Sequence, residues 1–256
     1  MAITASLSVR TILRTVWDDL GELWVRLRSQ SIIACASAVF FAVIDAIPAI
    51  SDNRVLAEIF DLMGTLVLVP FEIAIYRLLI SGEAASGYRF ELSSVRFQRM
   101  VGWTIGFWLL AMIPLRLPDA VAPSEGADAI ISIVLFALVA FAVLRLTIFL
   151  PAIAADAPGA SVRNAFADTS GHVWLIVKAY FIALLPIILI ILAIAVLAWL
   201  GGGHDIFGRS GNESIAVSAF FGALAFLVWT CAAIVSARLF MRIGDRVKSG
   251  GAEASE

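Results

Sequence analysis

The chain has 256 residues, of which 61% are hydrophobic and 15% charged, and its mean hydropathy is +0.98. Soluble domains are about half apolar and about one quarter charged, so this composition excludes a disordered chain, a nucleic-acid-binding domain and an ordinary cytosolic enzyme. The net charge of -2 is too small to indicate a partner. Long apolar runs predict an all-α integral membrane protein, because a helix satisfies its own backbone hydrogen bonds inside the bilayer.

Six apolar stretches predict six transmembrane helices in a single membrane domain covering residues 1–248. Each stretch is close to the roughly 20 residues that cross a hydrocarbon core about 30 Å thick. We predict spans at 31–50, 55–80, 101–117, 129–150, 173–200 and 215–241. Pro151 is expected to end the fourth span, and the glycine run 201–203 the fifth.

The 18 Lys and Arg residues are distributed unequally between the two sides of the predicted spans. Only Arg54, Arg116 and Arg209 fall on one side, and the other fifteen flank the two termini and the connections after spans two and four. Lys and Arg accumulate on the cytoplasmic side of membrane proteins. We therefore predict a multi-pass protein of a bacterial inner membrane with both termini in the cytoplasm.

The two ends of the chain lie outside the predicted spans. Residues 9–28 predict an amphipathic helix that lies in the headgroup region, because apolar residues recur there at helical spacing with charges elsewhere around the helix. The apolar set is Leu13, Val16, Trp17, Leu20, Trp24 and Leu27. The tail from 249 to 256 is small and polar, and is predicted to be disordered.

Three recurring features suggest that the chain contains three copies of an interfacial helix followed by a helical hairpin. Amphipathic stretches precede spans one, three and five, the weaker two at 91–100 and 160–170. The same spans carry an apolar residue before Pro48, Pro114 and Pro186, and spans two, four and six end in Arg-Leu at Arg77, Arg145 and Arg238. The alternative is that interfacial Trp and cytoplasmic Arg occur in any membrane protein.

The second span carries a polar stripe. At 100° per residue, six side chains fall within about 60° of one another; these are Arg54, Glu58, Asp61, Thr65, Glu72 and Tyr76. An ionised carboxylate at bilayer depth costs roughly 2.5–3.5 kcal/mol on insertion scales. The stripe is therefore predicted to face the interior of the bundle, water or a partner, and not acyl chains.

We predict an intramembrane polar network that includes the stripe. Its members are Asp45, Glu58, Asp61, Glu72, Tyr76, Arg116 and Arg145. Glu72 and Arg145 lie at similar depths and are expected to pair, whereas Glu58 and Asp61 can meet Arg116 or Arg54. Two interpretations stay open: a sealed ion-pair network that sets helix register, and a polar pathway or site.

No catalytic or metal-binding pattern stands out in the sequence. Cys35 and Cys231 lie in apolar runs, and the two histidines, His172 and His204, have no acidic partner at ligand spacing, so no metal or cofactor is expected. Asp156, Asp168 and His172 are the only candidate catalytic cluster. Gly171 predicts a turn between the last two, and a helix-capping Asp is the simpler interpretation of Asp168. We predict that the protein is not an enzyme.

The segment 145–174 carries a family resemblance. It has Arg145 at the end of a span, then Pro151, Asp156, an Ala-containing helix and a Ser-Gly pair before the next span. This order resembles the YciC-like family and the membrane domain of some bacterial glycerophosphodiester phosphodiesterases, and the segment 76–83 is similar to the span-two ending of stand-alone relatives. The resemblance implies a six-helix inner-membrane protein. It implies no phosphodiesterase activity, since that belongs to a separate soluble barrel.

These patterns predict a non-enzymatic membrane protein with a structural, assembly or envelope-maintenance role. The alternative is a small transporter or channel that uses the polar stripe of span two. The lipid bilayer is the expected partner, an unidentified membrane protein is a further one, and nucleic acid is excluded. Nothing in the sequence indicates an oligomeric state.

Overall fold

The structure, a computed structural model, describes residues 9–84, 87–121, 125–200 and 215–250. The regular elements in these ranges are helices: α1 (Val9–Arg26), α2 (Arg28–Asp45), α3 (Pro48–Ser51), α4 (Arg54–Ser81), α5 (Val95–Val121), α6 (Glu125–Arg145), α7 (Phe149–Ala154), α8 (Val162–Asp168), α9 (Val173–Leu200), α10 (Ile215–Ile243) and α11 (Asp245–Ser249). Six helical stretches of the described chain are long and apolar enough to cross a membrane. The predicted class, an all-α multi-pass membrane protein, is confirmed.

The observed helices agree best with the second, fifth and sixth predicted spans, which correspond to α4, α9 and α10. The first span is shorter than predicted, because α2 ends at Asp45 and Pro48 begins the separate helix α3. Proline at a first helical position has no N–H to leave unsatisfied, and its fixed φ suits a new helix.

The prediction that Pro151 ends the fourth span is wrong. Helix α6 ends at Arg145, a turn covers residues 146–148, and Pro151 lies in the first turn of α7. A proline is tolerated there because the N–H groups of a first turn have no partner within the helix.

The middle copy of the predicted repeat has no separate interfacial helix. Leu27, with φ -115° and ψ 28°, separates α1 from α2, and Gly171, with φ +80°, follows α8. Helix α5 instead runs unbroken from Val95, so the interfacial helix predicted at 91–100 is wrong. The prolines differ as well: Pro114 and Pro186 lie inside long helices, whereas Pro48 begins a short one.

Helix α1 divides its apolar residues between two faces. The buried face carries Ile12, Val16 and Leu23, whereas Trp17 and Trp24 are exposed. The predicted single apolar face is therefore two faces, one packed on the protein and one left open. Exposed tryptophans suit the headgroup region, which takes an apolar ring with a polar edge.

The described residues belong to two compact units. The first consists of Met1–Tyr88 with Lys178–Val235, and the second of Arg89–Val177 with Ser236–Glu256. In the first unit, α2 packs along α4, and α1 contacts both. In the second unit, α5 packs along α6 and α7, and α11 packs against α8 and α7.

Some predicted features lie outside the described residues. These are the glycine run 201–203, His204 and Arg209, and the end of the predicted tail at 251–256. The tail prediction began too early, because α11 includes Ser249.

Candidate functional site

The first unit contains a cleft between three of its helices, called here the three-helix cleft. It has a volume of about 410 Å³ and is lined by α2, α4 and α10. The lining residues are Ala38, Phe41, Ala42 and Asp45 of α2, Phe60, Asp61, Gly64, Thr65 and Leu68 of α4, and Phe221, Gly222, Ala225, Phe226 and Trp229 of α10. On each helix these residues recur at intervals of one, three or four, which is one face of an α-helix.

Small residues hold the helices close around this cleft. A Cβ atom added to Gly222 would lie 2.8 Å from the Cβ of Ala42 and 2.9 Å from the Cα of Val39, so α10 meets α2 at backbone distance. A Cβ atom on Gly64 would lie 3.1 Å from the side chain of Phe41. Small residues allow this close approach in membrane helices.

The polar groups of the cleft lie toward one end of its helices. Asp45 is the last residue of α2, and Asp61 lies two turns into α4. Both are exposed. The rest of the lining is apolar apart from Thr65, whose hydroxyl donates to the carbonyl of Asp61 at 3.0 Å. The cleft therefore combines aromatic and small apolar walls with two accessible carboxylates.

Farther along α4, the predicted stripe is closed. Glu72 and Tyr76 are 5% and 2% exposed. The hydroxyl of Tyr76 donates to Oε1 of Glu72 at 2.7 Å, and the ring of Phe71 stacks on that of Phe226 at 5.5 Å. Leu68 to Leu78 contains most of the buried residues of this helix. The stripe thus has an open half near Arg54 and a buried half near Ser81.

A proline lies between the two halves of α4. Pro70 has no N–H, so the carbonyl of Leu66 loses its usual helical donor, and the ring disturbs the adjoining bonds. The hydroxyl of Tyr88, in the connection that follows α4, donates to the carbonyl of Val67. Burial raises the pKa of Tyr88 from its ordinary 10.0 to about 12. Because the hydroxyl of Tyr88 keeps its proton at neutral pH, it supplies a side-chain donor close to Pro70.

In the second unit, charged side chains join the connections to the helix ends; we call this group the connection cluster. Its centre is Arg145, the last residue of α6. Nε of Arg145 donates to the hydroxyl of Thr169 at 3.0 Å, a second guanidinium N–H donates to the carbonyl of Phe166, and the guanidinium lies 5.2 Å from the Phe166 ring. Arg145 therefore ties the end of α6 to the end of α8.

Two acidic residues complete the connection cluster. Asp156 accepts two hydrogen bonds from the guanidinium of Arg96, one of them at 3.0 Å from Nε. The carboxylate of Asp168 accepts from the backbone N–H groups of Arg246 at 3.2 Å and Val247 at 3.0 Å. Those groups belong to the first turn of α11, where N–H groups lack helical partners, so Asp168 caps this helix from a distance.

Gly159 belongs to the same cluster through its backbone. Its N–H donates to the carbonyl of Val247 at 3.0 Å. A Cβ atom at this position would lie 2.2 Å from the carbonyl oxygen of Arg246 and 2.9 Å from the Cα of Gly250. Only glycine leaves room for α11 and Gly250 to approach this closely.

Glu72 and Arg145, which are expected to pair, belong to different units. Within its own unit, Glu72 accepts from Tyr76, and Arg145 donates to Thr169 and Phe166. Oε1 of Glu58 lies 3.5 Å from Nε of Arg54, and Arg54 is one of the two partners expected for Glu58.

The remaining predicted site residues are placed differently. Asp45 and Asp61 line the same cleft, and Arg116 is a half-buried residue of α5. Asp156 and Asp168 of the candidate catalytic cluster bind different elements, Arg96 and α11. The ring of His172 lies in the turn after Gly171, 3.1 Å from the carbonyl of Ser170. Within the described ranges, no three His, Cys, Asp or Glu residues form a group that suits a metal ion.

Sequence reasoning missed three residues that the structure makes important: Tyr88, Gly159 and Thr169. Pro158-Gly159 is a recognisable turn signal. The bonds of Tyr88 and Thr169 join residues 21 and 24 positions apart, and no local pattern marks them.

No protein-family model, curated protein or solved structure matches the chain.

Proposed function

We propose that the protein is a non-enzymatic protein of a bacterial inner membrane, with both termini in the cytoplasm and a structural or assembly role. The observation that carries this proposal is the connection cluster. Its charged groups, including Asp156 and Asp168 of the candidate catalytic set, bind the protein's own backbone and side chains. Groups held in this way stabilise one arrangement of the connections.

A role in assembly requires a persistent shape on the side where α8 and α11 lie. Asp168, Thr169 and Gly159 each tie an interhelical connection to a helix end through a backbone group. Buried polar groups with satisfied hydrogen bonds favour a single arrangement over its alternatives. A surface of this kind suits a membrane-protein partner, and the bonding pattern is consistent with a scaffold.

The orientation is tested by thiol labelling of intact cells. In a background with Cys35 and Cys231 replaced by alanine, Asp52→Cys reports on the side of α3. Ala84→Cys reports on the connection after α4, and Ser249→Cys on the C-terminal end of α11. We expect an impermeant maleimide to label Asp52→Cys in intact cells, and the other two only after permeabilisation. The reverse pattern would contradict cytoplasmic termini.

The role is tested by deletion and complementation in the source bacterium. We expect the deletion strain to become more sensitive to detergents and large antibiotics, and the wild-type gene to restore resistance. Asp168→Ala, which loosens α11, should restore it only partly, whereas Asp245→Ala, at an exposed carboxylate, should restore it fully. Unchanged sensitivity on deletion would contradict an envelope role.

One observation favours the alternative of a transporter: Asp61 and Thr65 of the stripe line the three-helix cleft. The buried pair of Glu72 and Tyr76 opposes a continuous polar path along the same helix. Proteoliposomes separate the two proposals. Proton or solute flux that Asp61→Asn abolishes would support transport, and flux equal to that of protein-free liposomes would count against it.

The family relation is a proposal of the same kind. We infer a relation to the YciC-like family from the order of residues in segment 145–174. In its support, Arg145 ends α6, Pro151 lies in the first turn of the short helix α7, and Gly171 separates α8 from α9, so the quoted residues lie at or near element boundaries. Structures of family members with the same boundaries would strengthen it.

A further inference from the structure

The second unit presents a basic surface at the end where its connections meet, called here the arginine face. Its members are four exposed arginines: Arg89, Arg99, Arg163 and Arg246. Nη2 of Arg99 donates to the carbonyl of Ala160 at 3.2 Å, and Arg163 lies three residues farther along the chain. Arg246 belongs to the first turn of α11, which packs against α8, the helix that contains Arg163. Three of the four arginines therefore lie around the connection between α7 and α8.

The acidic residues at this end of the unit leave an excess of positive charge. Among the described residues of its connections, the acidic ones are Glu91, Asp156, Asp168 and Asp245. Asp156 pairs with Arg96, and Asp168 is buried and accepts backbone N–H groups. Nζ of Lys248 lies 3.5 Å from Oδ1 of Asp245. Arg96 and Lys248 are additional to the arginine face, so cations outnumber carboxylates here.

The connection that leads into α5 places apolar side chains beside these arginines. Phe90, Leu92 and Val95 are 48%, 70% and 69% exposed. The backbone of this connection is held by its own bonds: the N–H of Leu92 donates to the carbonyl of Phe90 at 2.9 Å, and Nε2 of Gln98 donates to the carbonyl of Leu92 at 2.9 Å. The exposure of the three apolar residues is therefore a property of the folded connection.

The apolar and basic side chains share one surface. Val95 and Arg99 are four residues apart in α5, so they lie on the same side of that helix. The apolar stretch that is long enough to cross a membrane begins at Val95, which brings this surface to the level of the lipid headgroups. Arginine suits this level, because its stem packs on apolar groups while its guanidinium stays in a polar layer.

One occupant satisfies both parts of the surface. An anionic phospholipid offers a phosphate, which guanidinium groups bind with two parallel hydrogen bonds, and an acyl chain, which covers apolar side chains. A soluble anion would leave Leu92 and Val95 uncovered. A zwitterionic lipid has no net charge to complement the excess of cations.

We propose that the arginine face, together with Phe90, Leu92 and Val95, binds the headgroups of anionic phospholipids in preference to zwitterionic ones. The phosphates lie beside the four guanidinium groups, and the three apolar side chains reach the upper part of the acyl chains. This inference goes beyond the scaffold role and does not depend on it, because none of the four arginine side chains belongs to the connection cluster.

The experiment measures which lipid lies next to the connection. In a background with Cys35 and Cys231 replaced by alanine, Ser93→Cys, at an exposed position of the connection, is labelled with the fluorophore NBD. The full-length protein is reconstituted in vesicles with equal parts of phosphatidylglycerol and phosphatidylcholine, and a nitroxide quencher is carried on the acyl chain of one lipid or of the other. The two samples have the same charge and differ only in which lipid quenches.

We expect quencher on phosphatidylglycerol to reach half of the maximal quenching at a mole fraction about fivefold lower than quencher on phosphatidylcholine. This is the preference that one basic residue near an anionic surface supplies. The same fluorophore at Asp52→Cys is the matched control, because this residue lies before α4, at the opposite end of that helix from the connection. There the two quenchers should act equally.

Variants assign the preference to particular side chains. Arg163→Gln/Arg246→Gln should remove most of the preference, whereas Arg54→Gln, which removes one exposed arginine at the start of α4, should leave it unchanged. Leu92→Ser should lower quenching by both lipids and keep their ratio, because it removes an apolar contact and no charge. Melting temperatures of the four proteins, the wild type included, show whether a variant has lost its fold, and the comparison of labels needs no variant of the face.

Several outcomes would overturn the proposal. Equal quenching by the two lipids at Ser93→Cys would mean that the face does not select anionic headgroups, and no quenching by either would mean that protein covers it. A preference of the same size at Asp52→Cys, or one that persists in Arg163→Gln/Arg246→Gln, would assign it to another part of the molecule. None of these outcomes bears on the scaffold role, which the deletion strain tests.

Discussion

The connection cluster and the three-helix cleft use the same residue type in opposite ways. Asp168 in the cluster is 9% exposed and accepts two backbone N–H groups, whereas Asp45 and Asp61 in the cleft are exposed beside apolar side chains. A buried carboxylate is tolerated where donors converge on it, because hydrogen bonds replace the lost water. The comparison teaches that backbone donors converging on a buried aspartate make it structural, whereas an exposed aspartate keeps much of its contact with the surroundings of the protein.

The largest expected effect is on the cluster side, at Gly159. In Gly159→Ala the new Cβ meets the carbonyl oxygens of Arg246 and Val247, which are backbone atoms and cannot rotate away. We expect a loss of about 2–3 kcal/mol in unfolding free energy, as for overpacking, read as a lower melting temperature in detergent. Gly102→Ala is the control, because nothing lies within 4 Å of that position. Equal melting temperatures for the two variants would show that the close packing at Gly159 does not cause the loss of stability.

The second effect is at Asp168. Asp168→Ala removes both acceptors of the α11 N–H groups, and we expect a loss of roughly 1.5–3 kcal/mol with faster proteolysis at the C-terminal end. Asp245→Ala, in the same helix, removes an 88% exposed carboxylate that lies 3.5 Å from Lys248, and should cost less than about 1 kcal/mol. Similar losses in both would show that Asp168 is not a cap.

The third effect sharpens the comparison within α4. Tyr76→Phe removes the hydroxyl that donates to the buried side chain of Glu72, and we expect it to lower the unfolding free energy by about 1–2 kcal/mol. Glu72→Gln should cost less, because an amide oxygen still accepts from Tyr76. Melting curves in detergent measure both. A larger loss in Glu72→Gln than in Tyr76→Phe would favour an additional role for the carboxylate.

The fourth effect depends on pH. Tyr88→Phe removes the bond to Val67 and should cost about 1 kcal/mol at neutral pH. Because the folded-state pKa of Tyr88 is about 12 and its ordinary pKa is 10.0, its contribution is present below pH 10 and lost between pH 10 and 12. The wild type should therefore lose more stability than the variant across this window. Parallel pH profiles of the melting temperature would contradict this account.

The smallest effect is expected at the cleft. Asp45→Asn removes an exposed carboxylate, so the unfolding free energy should change by less than about 0.5 kcal/mol. The same melting assay measures it beside Asp168→Asn as a cluster reference. A loss at Asp45 as large as that at Asp168 would make the cleft carboxylate structural and remove the contrast.

Most of the helices were predictable because their signal is local. The apolar runs that form α4, α9 and α10 are long enough to cross a bilayer in isolation, whatever they pack against. The boundaries at Pro151 and Asp45 were less predictable. A proline either ends a helix or begins the next, and the choice depends on neighbouring residues.

The site was predictable only in part. Periodicity placed Glu72 and Tyr76 on one face, and the structure buries both. The same stripe includes Asp61, which is exposed and lines the cleft together with residues of α2 and α10. Matching by depth suggested Arg145 as a partner of Glu72, but it did not indicate the partners that each has in its own unit, Tyr76 for Glu72 and Thr169 for Arg145.

By itself, the sequence determined that this chain is an all-α protein with six membrane-spanning helices, since apolar length and internal hydrogen bonding are properties of each segment. Only the tertiary structure decided which carboxylates are buried and which are exposed. Asp168 and Asp61 are alike as residues, and they differ because one faces the free N–H groups of a distant helix and the other an apolar cleft. Those neighbours come from packing between segments far apart in the chain, which no local pattern encodes.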